Sequence, residues 1–173
     1  MYVCPYHYAA KSDFMGYADM MDSNTKNEMN EKRIDLQTLQ GKLCMALYEK
    51  AGEAGLAEIR RIYGQYGYEV GLGLKKKWAP KDFLEASKQF EKMTNEANLP
   101  SKVEVRGNEA VWTAERCPFD LKNTCKEVCE AVMAMDREIF RALLGLKEGE
   151  IEIEIQKTVA AGDDFCVGIV RLL

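Results

Sequence analysis

The chain is poor in histidine, in basic charge and in long apolar runs, and each shortage removes a class of function. One histidine, His7, stands in 173 residues, so any mechanism that needs two imidazoles is excluded. If His7 does not reach a site, no histidine does. Lys and Arg number 24 against 28 Asp and Glu, for a net charge of -4 and a pI near 5.2, which excludes a nucleic-acid binder. The basic run Lys75-Lys76-Lys77 suits a helix C-terminus, where cations complement the macrodipole. No apolar stretch approaches the roughly 20 residues that cross a bilayer, so no membrane association is expected. The start of the chain carries no basic segment followed by an apolar run, which predicts no signal peptide and a cytoplasmic location. Gly-x-Ser-x-Gly elbows, His-Glu-x-x-His helices, Walker loops and the dinucleotide glycine fingerprint are all missing. Six cysteines in a reducing compartment are then free thiols, metal ligands or core residues rather than a disulfide framework.

What is present reads as one globular α+β domain. A hydrophobic share of 47% with 30% charged residues supports a packed core, and the length suits one core rather than two. Residues 1–29 hold Tyr2, Tyr6, Tyr8, Phe14 and Tyr17, too many aromatics for a solvated tail. They predict an arm that packs on the body. A helical layer is expected over 30–98. Its first helix, about 31–50, shows a stripe of Leu36, Leu39, Leu43 and Leu47. A second, about 56–76, shows Leu56, Ile59, Tyr63, Tyr66 and Val70. That helix carries Gly64, Gly67, Gly71 and Gly73, each costing about 1 kcal/mol against Ala. Such a cost points to close backbone approach by another helix. A third helix, about 79–95, turns Phe83, Leu84, Ser87, Phe90 and Met93 inward.

The period becomes alternating over 102–173, which is expected to hold the sheet and one long helix. Val103 and Val105 alternate with polar residues, Gly107-Asn108 signals a turn, and 109–115 returns as a second strand. The helix expected over 121–145 has a stripe of Leu121, Cys125, Val128, Val132, Met135, Ile139 and Leu143. Residues 150–155 alternate Glu with Ile, with Glu150, Glu152 and Glu154 on a solvated face. Gly162-Asp163-Asp164 turns the chain into a last strand over 165–172. The expected fold is α+β: N-terminal helices packed on a four-stranded antiparallel sheet, with a long helix between two hairpins.

The candidate chemistry lies in Cys117, Cys125, Cys129 and Cys166. Cys125 and Cys129 are four apart on one helix and share a face, about 6 Å apart at Cβ. Cys117 ends a strand and Cys166 begins one, so the four could converge as a thiolate site for zinc or an iron–sulfur cluster. Core packing is the competing reading, and it is favoured for Cys125 and Cys44, which fall on or beside apolar stripes. Cys117, Cys129 and Cys166 remain candidates as catalytic thiols. Arg116 and a helix N-terminus soon after Cys117 are expected to activate one of them. Cys4 and His7 form a Cys-x-x-His pair without a local partner. Asp163 and Asp164 follow Gly162 and need no role beyond turn geometry.

The runs Glu115-Arg116-Cys117-Pro118-Phe119, Cys125-x-x-x-Cys129 and 158–166 (Thr-Val-Ala-Ala-Gly-Asp-Asp-Phe-Cys) resemble the L-2-amino-thiazoline-4-carboxylic acid hydrolase-like family. More distantly they resemble the 4-vinyl reductase domain, whose last hairpin ends in a similar Gly-Asp-x-x-Cys. The resemblance is strongest over residues 102–173. It implies the α+β fold of sensing domains in nitric-oxide signalling and Golgi-transport proteins, with a ligand cavity between helices and sheet. It also implies zinc bound partly through the last hairpin. Cys166 matches the final cysteine there, and Thr158 stands where a second would be, so Cys117, Cys125 or Cys129 would complete the set. Two functions follow. One is an enzyme hydrolysing a C–N bond in a small cyclic amidine, with Cys117, Cys129 and Cys166 at the site and either a thiolate or a metal-bound water attacking. The other is a binding module that holds a small molecule or a metal without turnover. A structural homodimer with core cysteines is the third reading.

Overall fold

A computed structural model describes residues 36–97 and 99–173. The arm expected over 1–29, with Cys4 and His7, lies outside the described residues. Helix α1 (Leu36–Ala51) leads through Gly52, at a positive φ of 57°, into α2 (Glu53–Trp78). The Leu stripe expected to bury α1 does not do so: Leu36 and Leu43 are 72% and 61% exposed. The buried face carries Gly41 and Cys44. A Cβ on Gly41 would lie 1.9 Å from the Phe119 carbonyl oxygen, so backbone contact at a glycine, not leucine packing, seats this helix. Leu36, Leu43, Leu47, Ile62 and Tyr66 instead line an open groove along α1 and α2.

Helix α2 ends as expected, with Lys75, Lys76 and Lys77 in its last turn. Ala79 then adopts a left-handed conformation and its N–H donates to the Lys75 carbonyl. Helix α3 (Phe83–Glu96) starts later than the Pro80 signal suggested. Asp82 caps it by accepting from the Glu85 N–H at 2.8 Å, while Glu85 accepts from the Lys81 N–H at 2.8 Å. Asp82 thereby satisfies one orphan donor of the helix start, and Glu85 ties down the residue before the cap.

Strands β1 (Ser101–Arg106) and β2 (Glu109–Ala114) form the first hairpin around Gly107, at φ 63°. Strands β3 (Ile151–Lys157) and β4 (Cys166–Leu172) follow, and the antiparallel sheet has the order β1-β2-β4-β3. Between β3 and β4 the chain makes a 3-10 turn over Val159–Ala161 before Gly162. On the outer face of the sheet Arg171 gathers Glu109, Glu152 and Glu154. The acidic face read from the alternation is thus organised around one guanidinium.

The helix expected over 121–145 is two. Asp120 and Asn123 take left-handed conformations, so the chain turns until α4 begins at Lys126 and runs to Val132. A break at Met133 precedes α5 (Ala134–Leu144), which Gly145 closes at φ 76°. Two apolar cores result. One joins α3 and α5 to the sheet through Phe83, Phe90, Phe140, Leu143 and Val170. The other joins α1 and α2 to α4 through Cys44, Leu56, Ile59, Val128 and Val132.

The glycines of α2 set the distance between helices. A Cβ on Gly67 would sit 2.2 Å from the Met135 carbonyl oxygen, and one on Gly71 would sit 2.5 Å from that of Ile139. Gly73 faces open space. Gly67→Ala and Gly71→Ala are therefore expected to lose about 1–3 kcal/mol in denaturant unfolding, because overpacking outweighs helix propensity. Gly73→Ala, free of contact, is expected to gain up to about 1 kcal/mol.

Candidate functional site

A cavity of about 260 Å³ lies where the two cores meet, with a mostly apolar wall. Strand register builds one side. Trp112 pairs with Gly168 and Ala114 with Cys166 across β2 and β4, and directly paired residues project to the same face. The small residues Ala110, Ala114 and Gly168 around Trp112 leave the space that a fully packed sheet would fill. Phe90, Met93 and Thr94 of α3 close a second side. Cys129, Val132, Met133, Asp136 and Ile139 of α4 and α5 close a third, and the loop from Arg116 to Phe119 lies at one end.

Three of the four candidate cysteines meet here. Cys117, Cys129 and Cys166 all line the cavity. Thr158 is fully buried, with its hydroxyl 3.3 Å from the Cys129 sulfur and 3.8 Å from that of Cys166. It stands between the two thiols. Its own N–H donates to Asp163 at 2.8 Å, so Asp163 closes the turn as its position suggested. Cys125 lies elsewhere: it is the N-cap of α4, and its thiol donates to Glu127 at 3.0 Å. Cys44 is buried in the second core, where its thiol lies 3.7 Å from the Tyr63 hydroxyl.

This placement does not assemble the four-thiolate set. Among the described residues no three Cys, His, Asp or Glu side chains are placed to hold one ion. The expected activation of Cys117 also changes. The helix N-terminus lies at Cys125, and only the N–H groups of Phe119 and Leu121 reach the Cys117 sulfur. Burial outweighs them and pushes the Cys117 thiol up. Burial pushes Cys129 further, to about 11, with Thr158 opposing. At neutral pH both are thiols, not thiolates.

Two polar groups of the cavity went unread in the sequence. The Trp112 indole N–H is buried without a hydrogen-bond partner among the described residues. The Asp136 carboxyl lines the same cavity, and burial raises its pKa from 3.8 to about 7. As a residue Asp136 is only partly covered, yet its carboxyl is poorly hydrated. The signal for Trp112 was the run of small residues beside it. Asp136 gave none, since an acid next to an apolar helical stripe reads as solvated.

The architecture matches solved ligand-bound domains. No family model matches the chain, and no curated protein matches it. Its structure is similar to trafficking protein particle complex subunit 3 from Naegleria fowleri, solved covalently bound to palmitic acid, with a TM-score of 0.56 at 16% identity. That match covers 79% of this chain and 95% of the other. It is also similar to the phenol-responsive sensory domain of the transcription activator PoxR, solved with phenol, with a TM-score of 0.56 at 16% identity over 79% of this chain and 74% of that one. The chain therefore has the α+β fold of these domains, with helices packed on a four-stranded antiparallel sheet. Among its described residues no helix is long and apolar enough to cross a membrane.

Iodoacetamide at pH 7.5 is expected to modify Cys129 on the order of a hundredfold more slowly in the native chain than in denaturant, with the rate climbing as pH approaches 11. Peptide mass spectrometry reads this directly. For Asp136 the raised pKa means that the folded state binds the proton more tightly than the unfolded one. Its contribution is thus present at acid pH and is lost as pH rises from about 4 through about 7. Asp136→Asn is expected to stabilise the fold at pH 8, on the order of 2–4 kcal/mol, and to change little at pH 4. Urea unfolding at the two pH values checks it.

Proposed function

We propose that this chain is a small-molecule-binding domain that takes a compact, largely apolar ligand between its helices and its sheet. The observation that carries this reading is the cavity itself. It has an apolar wall, it sits at the junction of two cores, and it is lined by Asp136 and by Trp112, whose indole N–H has no hydrogen-bond partner among the described residues. Such pockets, apolar with a few placed polar groups, are the usual form of a ligand site. At about 260 Å³ the cavity suits a molecule of one or two rings. The fold supports the reading by likeness, since the similar sensory domain was solved with phenol and the similar trafficking subunit with palmitic acid.

The hydrolase reading draws less support. Ring opening of a cyclic amidine by Cys117, Cys129 or Cys166 needs a thiolate or a metal-bound water. Burial keeps Cys117 and Cys129 protonated, and no described set of side chains gathers a metal. The three thiols serve the binding reading as soft, polarizable wall.

Trp112 offers a direct probe. In a Trp78→Phe background, phenol is expected to change Trp112 fluorescence in a saturable way. Gly168 has ordinary contact distances to Trp112 and to the Glu154 backbone, so Gly168→Leu can fill the cavity without breaking the strand. It is expected to weaken binding at least tenfold while circular dichroism stays native. Undiminished binding in a folded Gly168→Leu chain would place the ligand elsewhere.

A further inference from the structure

We propose that the ligand of this cavity is a small organic cation, a protonated amine on a ring-sized apolar body, with its ammonium held by Asp136 and an acceptor atom held by Trp112. This deepens the binding reading above and rests on it.

The starting point is an acid without a partner among the described residues. Asp136 lies in the first turn of α5 and lines the main cavity. It also lines a recess of about 20 Å³ behind it, together with Trp112, Phe90 and Phe140. Among the described residues no hydrogen bond or ion pair reaches its carboxyl. The contrast with Glu138, two residues on, is direct. Glu138 is buried and is held by Arg137 at 3.2 Å and by Arg141 at 2.5 Å, while Arg141 stacks over the Tyr68 ring at 4.4 Å. The same helix thus satisfies one buried acid twice and leaves the other open toward a cavity. An ionisable group in apolar surroundings is costly unless it is paired. A partner that arrives with the ligand would remove that cost, and a charged donor would do so most fully.

Trp112 supplies the complementary half. Its Nε1–H is buried and has no hydrogen-bond partner among the described residues, and the Trp112 side chain lines both the cavity and the recess that Asp136 lines. One acceptor and one donor at the same end of an apolar space define a ligand with a donor cation and an acceptor close together. The indole face adds attraction for a cation. An anion would meet Asp136 as a like charge. A neutral alcohol could bond to both groups but would leave the carboxylate charge uncompensated.

The cations of the wall limit the ligand to one positive head. Arg116 and Lys157 line the main cavity but not the recess, so they lie toward the thiol end. Lys157 already rests over the Phe165 ring at 5.1 Å. A second ammonium at that end would be repelled, and a polar or acidic tail would be tolerated.

Calorimetric titration of the full chain at pH 7.5 tests this with three probes of one shape: benzylamine, benzyl alcohol and phenylacetate. Benzylamine is expected to bind at least tenfold tighter than benzyl alcohol, with phenylacetate weakest. Asp136→Asn is expected to abolish that preference, leaving amine and alcohol within about twofold of each other. If benzyl alcohol or phenylacetate binds wild type as tightly as benzylamine does, or if Asp136→Asn keeps the amine preference, the cation assignment is wrong while the binding reading stands. If none of the three binds, both readings fall.

Discussion

The contact on which the structure depends is backbone against backbone, where Gly67 and Gly71 of α2 meet the Met135 and Ile139 carbonyls of α5. No side chain intervenes, so the two helices lie as close as their main chains permit. That closeness fixes α5 from behind. The adjoining face, with Asp136 and Phe140, is then held at a set distance from Trp112 and Gly168 on the sheet. The cavity is the space left by that distance and by the small residues opposite. Gly41 on the Phe119 carbonyl does the same for the loop that closes one end. Glycine in this chain is a spacer between layers, and its helix-propensity cost of about 1 kcal/mol per position is outweighed by the packing that it permits.

Much of this order was legible. The change of period near residue 101, the Gly107-Asn108 turn and the Glu–Ile alternation marked four strands in their right places. The glycine spacing of α2 pointed to close helix packing. What was not legible has physical reasons. A hydrophobic stripe says that a face is apolar, not that it is covered, and Leu36 and Leu43 are apolar and exposed. Gly41 and Cys44, which are covered, carry too little hydrophobic signal to compete. The break between α4 and α5 hides because Val132 and Met135 continue the stripe across it. The unpaired state of Asp136 depends on what faces it across the layers, and no local pattern encodes that.

The cysteines show how spacing and chemistry separate. Cys125 and Cys129 share a helical spacing, but Cys125 caps that helix toward Glu127 while Cys129 turns into the cavity. Thr158 occupies the point where the thiols of Cys129 and Cys166 come nearest, and its buried hydroxyl is itself satisfied by the Ala160 N–H at 3.2 Å. A hydroxyl there closes a hydrogen-bonded turn that needs no ion.

Burial gives the thiols and the acid of this cavity opposite meanings. A desolvated thiol becomes neutral and inert, which makes Cys117 and Cys129 good wall material. A desolvated carboxyl that titrates near neutral pH remains available to ionise when a cation approaches, because the incoming charge restores the lost solvation. The same apolar environment therefore keeps Cys117 and Cys129 as thiols and brings the Asp136 carboxyl near its titration point at neutral pH.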